Sequence, residues 1–148
     1  VGGWLVLADK PARVLLYEPG RRLHRTLVVG KDREPVDLGA DRRGRLLVLD
    51  RRARTVTRFA SGDSRGERLI AGSWERAEAV TVDPAGNIYV LDRGARRIEM
   101  FDRHGQRLTG LGPALPGGLE LERPADLTVD GAGRIWIADS RLGLVVLE

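Results

Sequence analysis

Apolar residues along this chain gather in short blocks separated by polar turns, with no helical spacing between them. The clearest stretch runs from Val80 to Phe101. A first run ends in Asp83, and a tight turn follows that closes at Gly86. A second run, Ile88 to Leu91, ends in Asp92. A polar turn, Arg93 to Arg97, leads into a third run ending in Phe101. Short apolar runs bounded by Asp, Gly and Pro predict three strands joined by hairpin turns.

The same order recurs elsewhere. D-x-x-G turns open at Asp41, Asp83 and Asp130 and close at Gly44, Gly86 and Gly133. Nine residues after each of these aspartates stands another: Asp50, Asp92 and Asp139. Each second Asp ends an apolar run, namely Leu46 to Leu49, Ile88 to Leu91 and Ile135 to Ala138. Trp4 to Asp9 joins the series without a preceding turn. Third strands are predicted at Val14 to Tyr17, Val56 to Phe59, Ile98 to Phe101 and Leu144 to Leu147. Weaker fourth strands follow at Leu23 to Val29, Arg68 to Ala71 and Gln106 to Leu111. The repeat is about 42 residues long, with an insertion at Pro113 to Glu122.

Within the second strands both faces are apolar. Ile88 and Val90 point one way, Tyr89 and Leu91 the other, so each sheet is buried on both sides. Four-stranded sheets stacked face to face describe an all-β fold, a β-propeller segment of about three and a half antiparallel blades. The predicted units are 1–34 (incomplete), 35–76, 77–123 and 124–148 (incomplete), within a single domain. No amphipathic helix is predicted, beyond one turn at Trp74 to Glu78. The chain starts at Val1 with no signal-like run, as in a processed chain or a fragment. The outer sheets are expected to leave open edges and bare faces. Closure of the ring is then expected to require further blades or self-association.

At this level of detail the repeats resemble those of the NHL-repeat propeller family. The segments that carry the likeness are P-A-D-L-T-V-D-G-A-G-R-I-W-I-A-D-S from Pro124, A-E-A-V-T-V-D-P-A-G-N-I-Y-V-L-D from Ala77, and P-V-D-L-G-A-D-R-R-G-R-L-L-V-L-D from Pro35. The family's lead proline is Pro35 and Pro124 here, with Ala77 in the middle copy. Its arginine after the second Asp is Arg97. It stands one residue early as Arg54 and Arg13, and Gly143 replaces it in the last copy. The resemblance implies a six-bladed propeller of bacterial type that acts as a protein-binding or scaffold module. Some relatives bind single-stranded RNA on an electropositive face. Related propellers are lactonases or lyases, whose metal ligands would here lie in other blades. The run G-R-I-W-I-A-D-S-R-L-G-L also looks like repeats of sensor-kinase periplasmic propellers, which implies an extracytoplasmic setting.

Composition narrows the chemistry. There is no cysteine, so disulfides and thiolate metal sites are excluded, and either redox compartment suits the chain. No apolar run approaches the roughly 20 residues of a membrane-spanning helix. The net charge is +4, and apart from Lys10 and Lys31 every basic side chain except the two histidines is arginine. Arginine suits phosphate or carboxylate recognition, and solvated turns use it equally.

Repeated carboxylates invite a metal reading. Asp9, Asp50, Asp92 and Asp139, however, sit at strand ends before tight turns, where Asp accepts backbone N–H groups, and arginines follow closely enough to pair. Asp41, Asp83 and Asp130 open turns whose glycines take the left-handed position, without the further oxygen ligands of a calcium loop. His24 and His104 lack partners at ligand spacing. Ser61, Ser64, Ser73 and Ser140 carry no nucleophile-elbow signature. No catalytic set, metal or cofactor is therefore expected.

Antiparallel strands send alternate turns to opposite faces of a disc. The turns after second strands share a face with the connections between blades. That face is expected to carry Lys10, Arg13, Arg51, Arg52, Arg54, Arg93, Arg96, Arg97 and Arg141, with Trp74 as the one aromatic available for stacking. A protein or small ligand is the expected partner, and RNA or another polyanion the alternative.

Overall fold

The computed structural model describes residues 5–9, 13–17, 22–28, 32–60 and 62–148, with the backbone alone for 5–9, 23, 24 and 28. Lys10 and Lys31 lie outside the described residues, as do the side chains of Asp9 and His24.

Four antiparallel sheets are built from consecutive strands. The first holds Leu5–Asp9 (β1), Arg13–Tyr17 (β2) and Leu23–Val28 (β3). The second holds Pro35–Ala40 (β4), Leu46–Asp50 (β5), Thr55–Phe59 (β6) and Gly66–Ala71 (β7). The third holds Ala77–Val82 (β8), Ile88–Asp92 (β9), Arg97–Phe101 (β10) and Arg107–Leu111 (β11). The last holds Pro124–Val129 (β12), Ile135–Asp139 (β13) and Gly143–Leu147 (β14). Each third strand starts one residue before its apolar run, because the residue facing the strand-end Asp completes the ladder: Asp50 opposite Thr55, Asp92 opposite Arg97, Asp139 opposite Gly143.

Every residue of β5 and β9 is buried, as their two apolar faces require. Three apolar layers fill the spaces between sheets. Val14 and Leu27 meet Leu46, Val48 and Phe59 between the first two. Leu47, Leu49, Val56 and Ile70 meet Val80, Ile88, Val90 and Phe101 in the middle. Leu91 and Ile98 meet Leu127, Ile137 and Val145 between the last two. At about 25 cal/mol per Å² of apolar area, such layers supply most of the stabilisation of the stack. In the 113–122 insertion, Leu115 and Leu121 are buried and pin the segment to the third layer.

The first strands lie side by side, and each bends at one place. The register slips between Pro35 and Asp37, between Ala77 and Ala79, and between Pro124 and Asp126. This bulge lets Asp37 reach across to accept the Val80 amide at 2.7 Å, a direct link between neighbouring sheets. The predicted helical turn at Trp74 to Glu78 is not formed. The chain bends at Glu75 and Arg76 and enters β8 at Ala77. Trp74 is drawn into the core there, and extended backbone follows it.

Candidate functional site

The turns after the second strands are built around buried carboxylates. Asp50, Asp92 and Asp139 are each only 3% exposed, and a buried carboxylate requires donors. Asp92 accepts from the amides of Glu75 (2.9 Å), Arg76 (2.8 Å), Gly94 (3.1 Å) and Ala95 (3.4 Å). Asp139 repeats the pattern with Glu122 (2.9 Å), Arg123 (3.0 Å), Arg141 (2.8 Å) and Leu142 (3.2 Å). Asp50 accepts from Ala53 at 2.7 Å and lies 3.9 Å from the Arg33 guanidinium. Beside these, the amides of Arg51, Arg93 and Ser140 donate to the carbonyls of Glu34, Arg76 and Arg123. Each Asp thus fastens its turn to the connection entering the same sheet. For Asp139, burial raises the carboxyl's pKa, but the amides of Arg141, Glu122, Arg123 and Leu142 outweigh it and hold the group below the usual range.

This geometry corrects the expected pairing of Asp50 with Arg54 and of Asp92 with Arg97, while the side chain of Asp9 lies outside the described residues. Backbone amides occupy the carboxylates instead. The Arg97 guanidinium turns to Glu99 at 3.3 Å. Arg54 and Arg96 share one turn position, and both take the left-handed conformation, with φ of 55° and 52°. In the shorter third turn that conformation falls to Gly143, at φ 85°. Arg13 faces Asp9 in the ladder, as Arg97 faces Asp92.

The basic side chains of this face are interleaved with acids. Arg51 donates to Glu34 (2.9 Å), Glu78 (2.8 Å) and the Ala77 carbonyl (3.0 Å). Arg93 lies 3.8 Å from Glu78, and Arg96 lies 3.4 Å from Glu120. Arg52 and Arg54 are exposed and make no side-chain hydrogen bond or ion pair among the described residues. The acidic partners Glu34, Glu78, Glu99 and Glu120 were not singled out from the sequence. They sit on different strands and connections, so only the fold brings them to the arginines.

Trp74 is also corrected. It is 2% exposed, meets Phe101 edge-on at 6.3 Å between ring centres, and donates its indole N–H to Glu99 at 3.1 Å. No base can stack on it.

On the opposite face, the D-x-x-G carboxylates also bind their own turns. Asp41 accepts from the Arg43 and Arg45 amides and from Arg45 Nε at 2.6 Å. Asp83 accepts from Asn87 and, at 3.1 Å, from the Tyr89 hydroxyl. Burial first, and then Asp83, push that hydroxyl's pKa up to about 12. Asp130 accepts from Ala132, Arg134 and the Trp136 indole, with the Arg134 guanidinium 5.5 Å over the same ring. Gly44, Gly86 and Gly133 have φ of 71°, 94° and 86°. His104 is exposed in a similar turn, where its amide donates to Asp102. Among the described residues no three His, Asp or Glu side chains converge as metal ligands.

Solved structures share this architecture. The chain superposes on the nidogen/laminin complex with a TM-score of 0.76 at 18% identity, over 97% of this chain and 56% of that one. The fold is that of a β-propeller. Its sheets are blades, β4, β8 and β12 are the adjacent first strands, and the 51–54, 93–96 and 140–142 turns share the face of the blade connections. Kuenenia stuttgartiensis hydrazine synthase is a second neighbour, with a TM-score of 0.70 at 12% identity over 98% of this chain and 46% of that one. The propeller segment thus spans about half the length of the solved chains it matches. No protein-family model matches its sequence, and none of the curated proteins does.

Proposed function

We propose that this propeller segment is a non-catalytic binding or scaffold module of NHL type, which contacts an acidic partner protein through the face of the blade connections. One observation carries the reading. Arg54 and Arg96 occupy the same left-handed turn position in successive blades, and the third described turn fills its left-handed position with glycine. A left-handed arginine costs about 1 kcal/mol, which glycine avoids. Strain of this kind, repeated at exposed positions, is characteristic of binding sites. The buried aspartates beneath hold these turns rigid, so the guanidinium groups are presented with little ordering cost. Arg13, Arg51, Arg52, Arg93 and Arg97 extend the same face. The surface ion pairs of Arg51 with Glu34 and of Arg93 with Glu78 are weak enough to be exchanged for a partner's carboxylates. The nidogen/laminin neighbour is itself a structure of a protein complex, in keeping with this role. The bare outer face of the last blade also accords with a ring completed by further blades or a second copy.

An array of acidic peptides tests the reading. The chain is expected to bind a subset of them, and Arg54→Gly with Arg96→Gly is expected to weaken that binding at least tenfold. The same pair should leave stability unchanged or raise it by about 1 kcal/mol. Undiminished binding by the double variant would refute the reading. Turnover of a lactone by the chain would favour the enzyme alternative.

A further inference from the structure

The opposite face of the disc holds a basic cleft between the second and third blades. Its walls are the Asp41 turn, the Asp83 turn and the turn between β10 and β11, and it measures about 250 Å³. Arg42, Arg43, Arg45 and Arg103 line it, together with Asp41 and Asp83. A smaller adjoining recess has Leu47, Leu69, Val82 and Ile88 in its wall, so apolar core lies directly alongside. Charges above such a floor are screened less than charges in open water.

The cleft's acids are engaged, whereas two of its cations, Arg42 and Arg43, are not. Both carboxylates accept hydrogen bonds from their own turns, as described above. Burial raises the Asp41 pKa, but the Arg45 and Arg43 amides and the Arg45 side chain outweigh it and hold the group ionised. Arg45 commits its Nε to Asp41, and its terminal nitrogens make no hydrogen bond or ion pair among the described residues. Arg42 and Arg43 are exposed and make no side-chain hydrogen bond or ion pair among the described residues. Arg103 donates from Nε to His104 at 3.2 Å and carries its charge beside Asp102.

The turn itself does not require this charge. At the places of Arg42 and Arg43, the equivalent turns carry Pro84 with Ala85 and Gly131 with Ala132. Arg134, which follows the Asp130 turn, is held by Asp130 and Trp136. Among the three described D-x-x-G turns, unpaired guanidinium groups at these places are therefore particular to the Asp41 turn. Close approach of the third wall is built in, because a side chain at Gly86 would meet Arg103 and one at Gly105 would strike the Leu69 carbonyl.

We infer that this cleft is a binding site for a single phosphate group, free or as a phosphomonoester, gripped by Arg42, Arg43 and Arg103 with Arg45 anchored on Asp41. Guanidinium forks match the tetrahedral oxyanion, and three of them satisfy its charge. A continuous nucleic-acid backbone suits the cleft poorly. No aromatic ring lines it for stacking, and Asp41 and Asp83 flank it with negative charge.

Titration of the full chain with inorganic phosphate and with O-phosphoserine, at constant ionic strength set by chloride, tests the site by backbone amide shifts. Saturable shifts are expected at residues 41–45, 84–86 and 103–105. Tighter binding of O-phosphoserine would assign the natural ligand as a phosphomonoester, and equal or tighter binding of phosphate as the free ion. Arg42→Ala with Arg43→Ala should weaken binding at least tenfold, whereas Arg65→Ala, outside the cleft, should leave it unchanged. Unsaturable shifts, undiminished affinity in Arg42→Ala with Arg43→Ala, or binding of a single-stranded oligonucleotide but not of phosphate would overturn the inference.

Discussion

At the residue scale, carboxylates of one chemical type behave in opposite ways. In Asp41 and Asp139, backbone amides overcome burial and depress the folded pKa. Their contribution to stability is complete above the unfolded value of about 3.9 and is lost as pH falls through the lower folded value. Asp37 is raised, first by burial and then, against the Val80 and Leu38 amides, by Asp126. Its contribution is present below about 3.9 and is lost as pH rises through the folded value. Asp37→Asn keeps an oxygen for the Val80 amide and removes that loss. Relative to the parent chain, the variant should therefore be more stable at pH 7 than at pH 4. Urea unfolding at the two values checks this, and a difference that does not grow with pH would count against it. From the sequence, Asp37 was only the third letter of a repeat. Its environment comes from the neighbouring blade, which lies 43 residues on.

Among the elements, the hairpin pattern was readable because it is local. Strand-end aspartates, turn glycines and two-sided apolar runs each express their preference within a few residues. What was not readable depended on distant partners. Trp74 belonged to a connection by position, yet it fills the layer against Phe101. The arginines looked like a bare basic surface until Glu34, Glu78, Glu99 and Glu120 folded in beside them. The Asp92 fastening shows how strongly such partners weigh. Asp92→Ala leaves several amides without acceptors beneath the turn, and the expected loss is roughly 2–4 kcal/mol in chemical denaturation. If Asp92 only decorated the turn, the loss would stay within about 0.5 kcal/mol.

For the whole molecule, identical register positions have different fates according to their neighbours. Ile98 and Leu144 both follow the residue that faces the strand-end Asp. Ile98 is fully buried by the last blade, whereas Leu144 is 65% exposed on that blade's outer face, with Val146 at 40% close by. Ile98→Ala should cost about 2–4 kcal/mol, and Leu144→Ala no more than about 0.5. Parallel denaturation curves decide the matter. An equal loss at both sites would mean that the outer face is covered in solution, as a closed ring demands.

The fastening of each turn to its own blade has a wider consequence. Among the described residues, backbone-to-backbone hydrogen bonds close within a blade or its connections. Neighbouring blades are joined by side chains, apolar ones and polar ones such as Asp37 to the Val80 amide, Arg51 to the Ala77 carbonyl and Arg58 to the Arg103 carbonyl. Apolar contact has no preferred direction, and an arginine stem adjusts its reach. The wedge angle between blades is thus set by side-chain bulk and not by any fixed ladder. A blade of this kind can be duplicated, lost or spaced by a segment such as 113–122 without breaking the bonds that define its neighbours, so ring size becomes a quantity that evolution can tune one side chain at a time.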